Sequence, residues 1–291
     1  MKWSKASALP RITVITPSLN QAAFIERTIL SVLEQDYPEL EFFIVDGGST
    51  DGSAEIIKSY EDRLAWWVSE PDRGQTDALN KALSRASGEI IAYLNSDDYY
   101  LPGALHAAAK SLQVSDAAWL VGASRFEDAL GNVTEIWRPE LPTYGRPSWI
   151  LGPWGVPQPS SFWRRCVFEE CGPFREDMHY AFDTEHGLRL VLNGYMPDVI
   201  DQVLAVRVLH EEAKSADRSR FQAETERFDA FFRAHLRPAE RLSLSIQGTL
   251  SRVLGRRPVG WALKVQRSAA QAIGLSPDRV CRRTRSGAGS K

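Results

Sequence analysis

A chain of 291 residues with 43% hydrophobic and 25% charged content has the balance of a globular protein and length for one large α/β domain or two small ones. No apolar run reaches the ~18 residues of a membrane span, and MKWSKASALP lacks the apolar centre of a signal peptide, so a cytoplasmic location is expected. The net charge of −2 conceals an asymmetry, because residues 237–291 carry twelve Lys/Arg against two acids and leave −12 on the rest; three cysteines without zinc-ligand spacing argue against a zinc module or a disulfide framework.

After an extension over residues 1–10, RITVITP is a short β-branched strand ended by Pro17, and QAAFIERTILSVLEQ places Phe24, Ile25, Ile29, Val32 and Leu33 at helical spacing. LEFFIVD is a second strand closing on Asp46. GGSTDGSAEIIKSY turns on glycines into a helix, LAWWVS is a third strand, GQTDALNKALSRASG a helix stopped at Gly88, and EIIAYLN a fourth strand. Strands and helices in series predict an α/β fold with a Rossmann-like, doubly wound, mostly parallel sheet, since parallel strands need crossover connections. In such sheets ligands bind beyond the carboxyl ends of the strands. Those ends carry Thr16 and Pro17, Asp46, Ser69 and Glu70, and Asn95 to Asp98, which together delimit one crevice.

The fourth strand runs into AYLNSDDYYLP, where Asp97 and Asp98 stand side by side. Adjacent like charges persist when exposed or when something positive, such as a divalent cation, sits between them. The alternative is a helix N-cap pair ahead of YYLPGAL. Glu135 to Ser161, with six prolines and three tryptophans, reads as an extended loop over the crevice. YAFDTEHGLRLVLNGY returns to helix, and DRSRFQAETERFDAFFRAHL is a further helix with Phe221, Phe228 and Phe232 on one face. VDGGSTDG is neither GxGxxG nor a Walker loop, and neither HExxH nor GxSxG occurs. A nicotinamide dehydrogenase, an ATPase, a zinc peptidase and a serine hydrolase are thereby disfavoured.

TVITPSLNQAAFIERTILSVLEQDYPELEFFIVDGGSTDGS followed by SEPDRGQTDALNKALSRASGEIIAYLNSDDYYLPGAL resembles, in order and spacing, the inverting nucleotide-sugar glycosyltransferases of family 2 with the A-type fold. The resemblance covers roughly residues 11–215. It implies a glycosyltransferase domain over 11–236, with a nucleotide-binding half at 11–125 and an acceptor and catalytic half at 126–215, before a helical, basic, amphipathic tail at 237–291. By that resemblance Thr16, Pro17, Asn20 and Asp46 hold the nucleotide, and Arg73 and Asp77 wrap the base and diphosphate. A carboxylate at Asp46 suits an imide N–H such as uracil's, which favours a UDP-type donor. The alternative is that Asp46 only caps the GGSTDG turn.

NSDD occupies the place of the family's D-x-D signature, with Asn95 first, where it can bond a ribose hydroxyl, and Asp97 third. Asp97 is then the leading metal ligand with Asp98 beside it, and Mn²⁺ or Mg²⁺ suits them because hard cations take oxygen ligands and bridge phosphates. In FDTEHGLRL, Asp183 precedes Arg189 by six positions and Glu185 precedes it by four, which matches the family's base and a supporting or acceptor-side acid. Phe182 stands where the family often has Glu, and apolar company would raise the pKa of Asp183. The bland alternative is a surface-helix acid. VRVLHEEAKS implies His210 on metal or diphosphate and Lys214 on phosphate, and Trp154 in the proline-rich loop is expected to stack on the acceptor sugar.

The function implied is a metal-dependent, inverting transfer of sugar from a nucleoside diphosphate to an acceptor hydroxyl, in assembly of surface polysaccharide or glycolipid. A nucleotidyltransferase is the first alternative, though the basic glycine-rich loop it needs is absent after RITVITPSLN. A non-catalytic sugar-nucleotide-binding subunit is the second. In the tail, RPAERLSLSIQGTLSRVLGRRPVGWALKVQR interleaves Arg252, Arg256, Arg257, Lys264 and Arg267 with Leu242, Ile246, Leu250 and Trp261. Such a segment suits the anionic inner face of a cell membrane, with helices packed on the domain or between two copies as the other reading. The acidic body disfavours nucleic acid.

Overall fold

In the computed structural model, which describes residues 9–139, 158–211, 213–214 and 218–234, all seven residues of the strand β1 (Ile12–Ser18) are buried. Burial on both faces is the mark of a parallel strand covered by helices. β1 pairs in parallel with β2 (Leu40–Asp46) and with β4 (Ile90–Tyr93), and β2 carries β3 (Trp66–Ser69) in parallel at the sheet edge. The crossovers contain α1 (Ile25–Leu33), α2 (Ser53–Lys58) and α3 (Gln75–Leu83), as the strand–helix series predicts. Alternate residues divide between two cores. Ile15, Phe43, Val45 and Tyr93 pack with Leu79 of α3, whereas Ile12, Val14, Phe42 and Ile44 pack with Ile25 and Ile29 of α1.

Beyond β4 the sheet becomes mixed. The remaining elements are β5 (Tyr99–Tyr100), α4 (Ala104–Val114), β6 (Trp119–Asp128), β7 (Val133–Trp137), β8 (Ser161–Arg164), α5 (Cys166–Cys171), α6 (Phe182–Leu192), β9 (Asp198–Leu209) and α7 (Arg218–Ala234). The strand order is β3-β2-β1-β4-β8-β6-β9-β5, with β7 on β6. β8 runs antiparallel to both β4 and β6, β9 parallel to β6 and antiparallel to β5. β6 passes through position 125, so the two halves expected at 11–125 and 126–215 share one sheet.

Two local expectations change. Tyr99 and Tyr100 pair with Val206 and Ala205, so Asp97 and Asp98 lead into a strand, and the next helix starts only at Ala104. Two bulky aromatics favour a pleated, half-buried surface over a helix start. The stretch expected as loop from Glu135 begins inside β7, where Val133, Thr134 and Ile136 favour a strand. At its other end Trp163 of β8 is 3% exposed and stacks on Tyr93, their centroids 5.9 Å apart, so this tryptophan belongs to the core. Trp154 and the tail 237–291 lie outside the described residues. Among the described residues no helix is long and apolar enough to cross a membrane.

Candidate active site

The crevice forms where the loops after β1, β2, β3 and β4 meet. Asn20, with φ +53°, donates its backbone N–H to Ser49 Oγ at 2.7 Å and accepts Thr50 N–H on Oδ1 at 2.9 Å. It stitches the first loop to the second. Asp46 ends β2 fully buried, and its carboxylate accepts Gly48 N–H (3.2 Å), Ser49 N–H (2.9 Å), Ser49 Oγ–H (2.5 Å) and Ser69 Oγ–H (2.6 Å). A carboxylate offers about four acceptor sites, so in this conformation Asp46 caps its own turn and braces β3. Thr16 and Pro17 are buried at the end of β1. Thr16 shares a strand face with Ile12 and Val14, toward α1, and among the described residues its hydroxyl has no hydrogen-bond partner. Arg73 and Asp77 pair at 2.7 Å on the rim, and Arg73 also reaches Glu176 at 2.7 Å.

The NSDD turn supplies the floor. Asn95 Oδ1 accepts Gln75 Nε2–H at 2.7 Å, and its Nδ2 donates to Gln158 Oε1 at 3.1 Å and Asp98 at 3.4 Å. Gln158 in turn donates to the Tyr93 carbonyl at 2.6 Å. Lys214 Nζ donates to Gln75 Oε1 at 3.0 Å, which brings the segment after β9 onto the same network. Neither Gln75 nor Gln158 stands out in the sequence, since an isolated glutamine has no periodic or motif signal and its partners are 20 and 63 residues away.

Asp97 and Asp98 part company. Asp97 Oδ2 lies 3.0 Å from His210 Nε2, whose ring packs on Phe24 with centroids 4.5 Å apart. Asp98 is 2% exposed; its Oδ1 accepts Val208 N–H at 3.1 Å, and its backbone carbonyl accepts Thr28 Oγ1–H at 2.7 Å. Burial, followed by repulsion from Asp97, pushes the Asp98 carboxyl well above the ordinary range, and its contact with Val208 N–H braces the turn against β9. The expected trio of Asp97, Asp98 and His210 is not assembled, because among the described residues no three Asp, Glu, His or Cys side chains converge as for a metal ion. Asp97, with His210 beside it, would be the side chain to hold a divalent ion here, phosphate oxygen and water supplying the other ligands.

On α6, Asp183 and Glu185 point apart, as residues two positions apart on a helix must, at about 200°. Asp183 Oδ1 accepts Thr184 N–H at 2.6 Å, and among the described residues its Oδ2 accepts no hydrogen bond. It borders a small cavity lined by Trp119, Gln158, Ser161, Trp163, Thr184 and Gly187. Burial raises its pKa above the usual aspartate value, against the Thr184 N–H, Arg207 and Lys214, which favour the charge. Glu185 is 3% exposed and grips Arg189 with both oxygens at 3.1 Å. Arg189 also donates to the carbonyls of Cys171, Gly172 (3.0 Å) and Pro173 (2.8 Å). Of the two roles expected for Glu185, these contacts fit the supporting one, an anchor of the α5–α6 connection. Its helical spacing to Arg189 signals an ion pair as readily as a site.

The sequence profile described as Glycosyl transferase family 2 matches residues 13–172, more than half of the chain. A Bacillus subtilis glycosyltransferase provisionally assigned to teichuronic acid biosynthesis is 46% identical over 92 residues, which are 31% of this chain and 36% of that protein. The chain therefore aligns with about a third of that relative's length. Residues 1–349 of Staphylococcus aureus TarS, solved with UDP-GlcNAc, superimpose with a TM-score of 0.64 at 20% identity, over 88% of this chain and 76% of that one. The Pyrobaculum calidifontis mannosyltransferase PcManGT, solved with GDP-Man and Mn²⁺, superimposes with a TM-score of 0.57 at 23% identity, over 94% and 77%. These structures share the A-type fold of this chain.

Proposed function

The chain belongs to glycosyl transferase family 2, and on that premise we propose a metal-dependent, inverting transfer of a sugar from a nucleoside diphosphate to the hydroxyl of a carbohydrate or lipid-linked acceptor. The observation that carries the reading is the contact of Asp97 with His210 across 113 residues, at the end of β4 where such sheets bind ligands. Mn²⁺ or Mg²⁺ held by these two side chains would offset the charge developing on the departing diphosphate. Asp183 is the base. Thr184 holds one of its oxygens and leaves the other to take the acceptor proton as the hydroxyl oxygen attacks the anomeric carbon. The bond to the diphosphate oxygen breaks with its electron pair on that oxygen, and attack from the opposite face inverts the centre. Asn95, Gln75 and Lys214 form one hydrogen-bonded rail beside this path, with Lys214 as its cation. The saturated carboxylate of Asp46 contributes loop geometry, and the donor is held by the loops it braces.

A UDP donor is the first to test, because TarS was solved with UDP-GlcNAc. The B. subtilis relative supports a role in surface polysaccharide assembly. The basic tail would hold the crevice against an anionic membrane carrying a lipid-linked acceptor. The experiment is release of nucleoside diphosphate from UDP-GlcNAc, UDP-glucose and GDP-mannose, with Mn²⁺ or with EDTA. Release that needs Mn²⁺, and a β-linked product from an α-configured donor, are expected. Turnover indifferent to EDTA would remove the metal, and an α-linked product would remove the inverting mechanism.

A further inference from the structure

The base helix is held from outside. Helix starts leave N–H groups without intrahelical partners, and α6 has no side chain of its own at that position, Ala181 being its N-cap. An acceptor from α7 instead holds the N-cap and the two residues ahead of it. Glu224 Oε1 accepts His179 N–H at 2.8 Å, and Oε2 accepts Tyr180 N–H at 2.7 Å and Ala181 N–H at 2.9 Å. Three consecutive N–H groups, ending two residues before Asp183, converge on one carboxylate that is 9% exposed. Burial pushes the Glu224 carboxyl up, but the three N–H bonds outweigh it and hold the group below the usual carboxylate range, so it remains ionised. Its charge also complements the positive end of α6.

The same loop is gripped at further points. Arg220, one turn earlier on α7, donates to Tyr180 Oη at 2.8 Å. On the opposite side Gly74, at φ +115°, lies so close that a Cβ there would stand 3.3 Å from His179 Nδ1. The loop ahead of Asp183 therefore meets both the start of α3 and α7, and Glu224 supplies its carboxylate contacts.

We infer that Glu224 is the positioning residue for the base, fixing the first turn of α6 so that the free oxygen of Asp183 stays aimed at the acceptor hydroxyl. This rests on Asp183 being that base. Misplacement of a reacting group by about 1 Å costs up to about 10²-fold in rate. Removing the clamp should thus lower kcat far more than it raises donor KM, since the donor site at the ends of β1 to β4 meets this loop only at the start of α3.

The test uses the full chain with Glu224→Ala, Glu224→Gln and, as a control on the same helix, Glu226→Gln. Among the described residues Glu226 meets Gln222 alone, on the exposed face. Nucleoside diphosphate release is followed with whichever donor the wild-type chain turns over fastest. Glu224→Ala should lose about tenfold to 10²-fold in kcat with donor KM within about twofold, Glu224→Gln should lie between, and Glu226→Gln should match wild type. Amide exchange over 179–183, read without substrate, should speed up about tenfold in Glu224→Ala. Unchanged exchange, unchanged kcat, or a loss confined to donor KM would each overturn the inference. Asp183→Asn run alongside separates the two readings. Full turnover there would remove the base assignment itself, whereas loss there with wild-type turnover in Glu224→Ala would remove the positioning role alone.

Discussion

Replacing Glu185 separates a structural acid from an acceptor-binding one. Its side chain is 3% exposed and that of Arg189 19%, so the pair is screened little by solvent. Breaking a buried pair by removing one partner costs about 3–5 kcal/mol. Arg189 keeps its carbonyl partners at residues 171–173, which places Glu185→Ala at the lower end, about 3 kcal/mol. Glu185→Gln preserves volume and one acceptor and loses the charge, for which about 2 kcal/mol is expected, within the range for a hydrogen bond to a charged group. For a domain of this size 1 kcal/mol moves Tm by about 2–4 °C, so Glu185→Ala should melt about 6–12 °C lower and Glu185→Gln about 4–8 °C lower. The assay pairs a thermal melt with donor turnover at 20 °C, about where folded protein still dominates. Turnover per folded molecule should stay within about twofold of wild type, because nothing Glu185 touches lies in the crevice. A variant with unchanged Tm and a collapsed rate, or a raised acceptor KM, would refute this and return Glu185 to the acceptor site.

Asp183→Asn should cut turnover by at least ~10²-fold with donor affinity retained. A base works only when ionised, so the wild-type rate should fall as pH drops through a pKa that burial has raised, above the ~3.9 of an ordinary aspartate. A limb at or below that value would refute the assignment. A raised acid pKa in the fold means stability is lost as pH rises through it, so Asp183→Asn should melt no lower than wild type at neutral pH. Asp97→Asn should abolish Mn²⁺-stimulated turnover with the fold intact, and near-normal rates in Mn²⁺ would remove Asp97 from the metal. The full chain should pellet with anionic liposomes at low salt and be released by high salt, while a chain ending at Leu236 stays in the supernatant; equal behaviour would remove the membrane role.

Four strand ends and the NSDD turn were legible from residues 11–98 because local rules suffice there. Short continuous apolar and β-branched runs mark β1 and β2, helical spacing marks α1, and parallel pairing follows from the crossovers. The second half was less so. β6, β8 and β9 assemble from paired residues up to 81 positions apart, and no local pattern announces which strand turns antiparallel. The site divided in the same way. Asp97 and Asp183 stand out by type and spacing, whereas Gln158 and Glu224 carry no local signal at all.

Composition, periodicity and motif order by themselves determined an α/β chain with a carboxylate-rich crevice and a basic tail, since each of these is written in neighbouring residues. Only the tertiary structure decided which carboxylate has a lone pair to spare. Asp46, Asp98 and Glu185 are spent on N–H, O–H and guanidinium groups inside the fold, while Asp183 keeps an open oxygen and Asp97 meets His210. The reason is physical. A carboxylate's chemistry depends on how many of its few acceptor sites are filled and how much water it has lost, and both are set by groups that sequence distance keeps apart and folding brings within 3 Å of one another, as His210 is brought to Asp97.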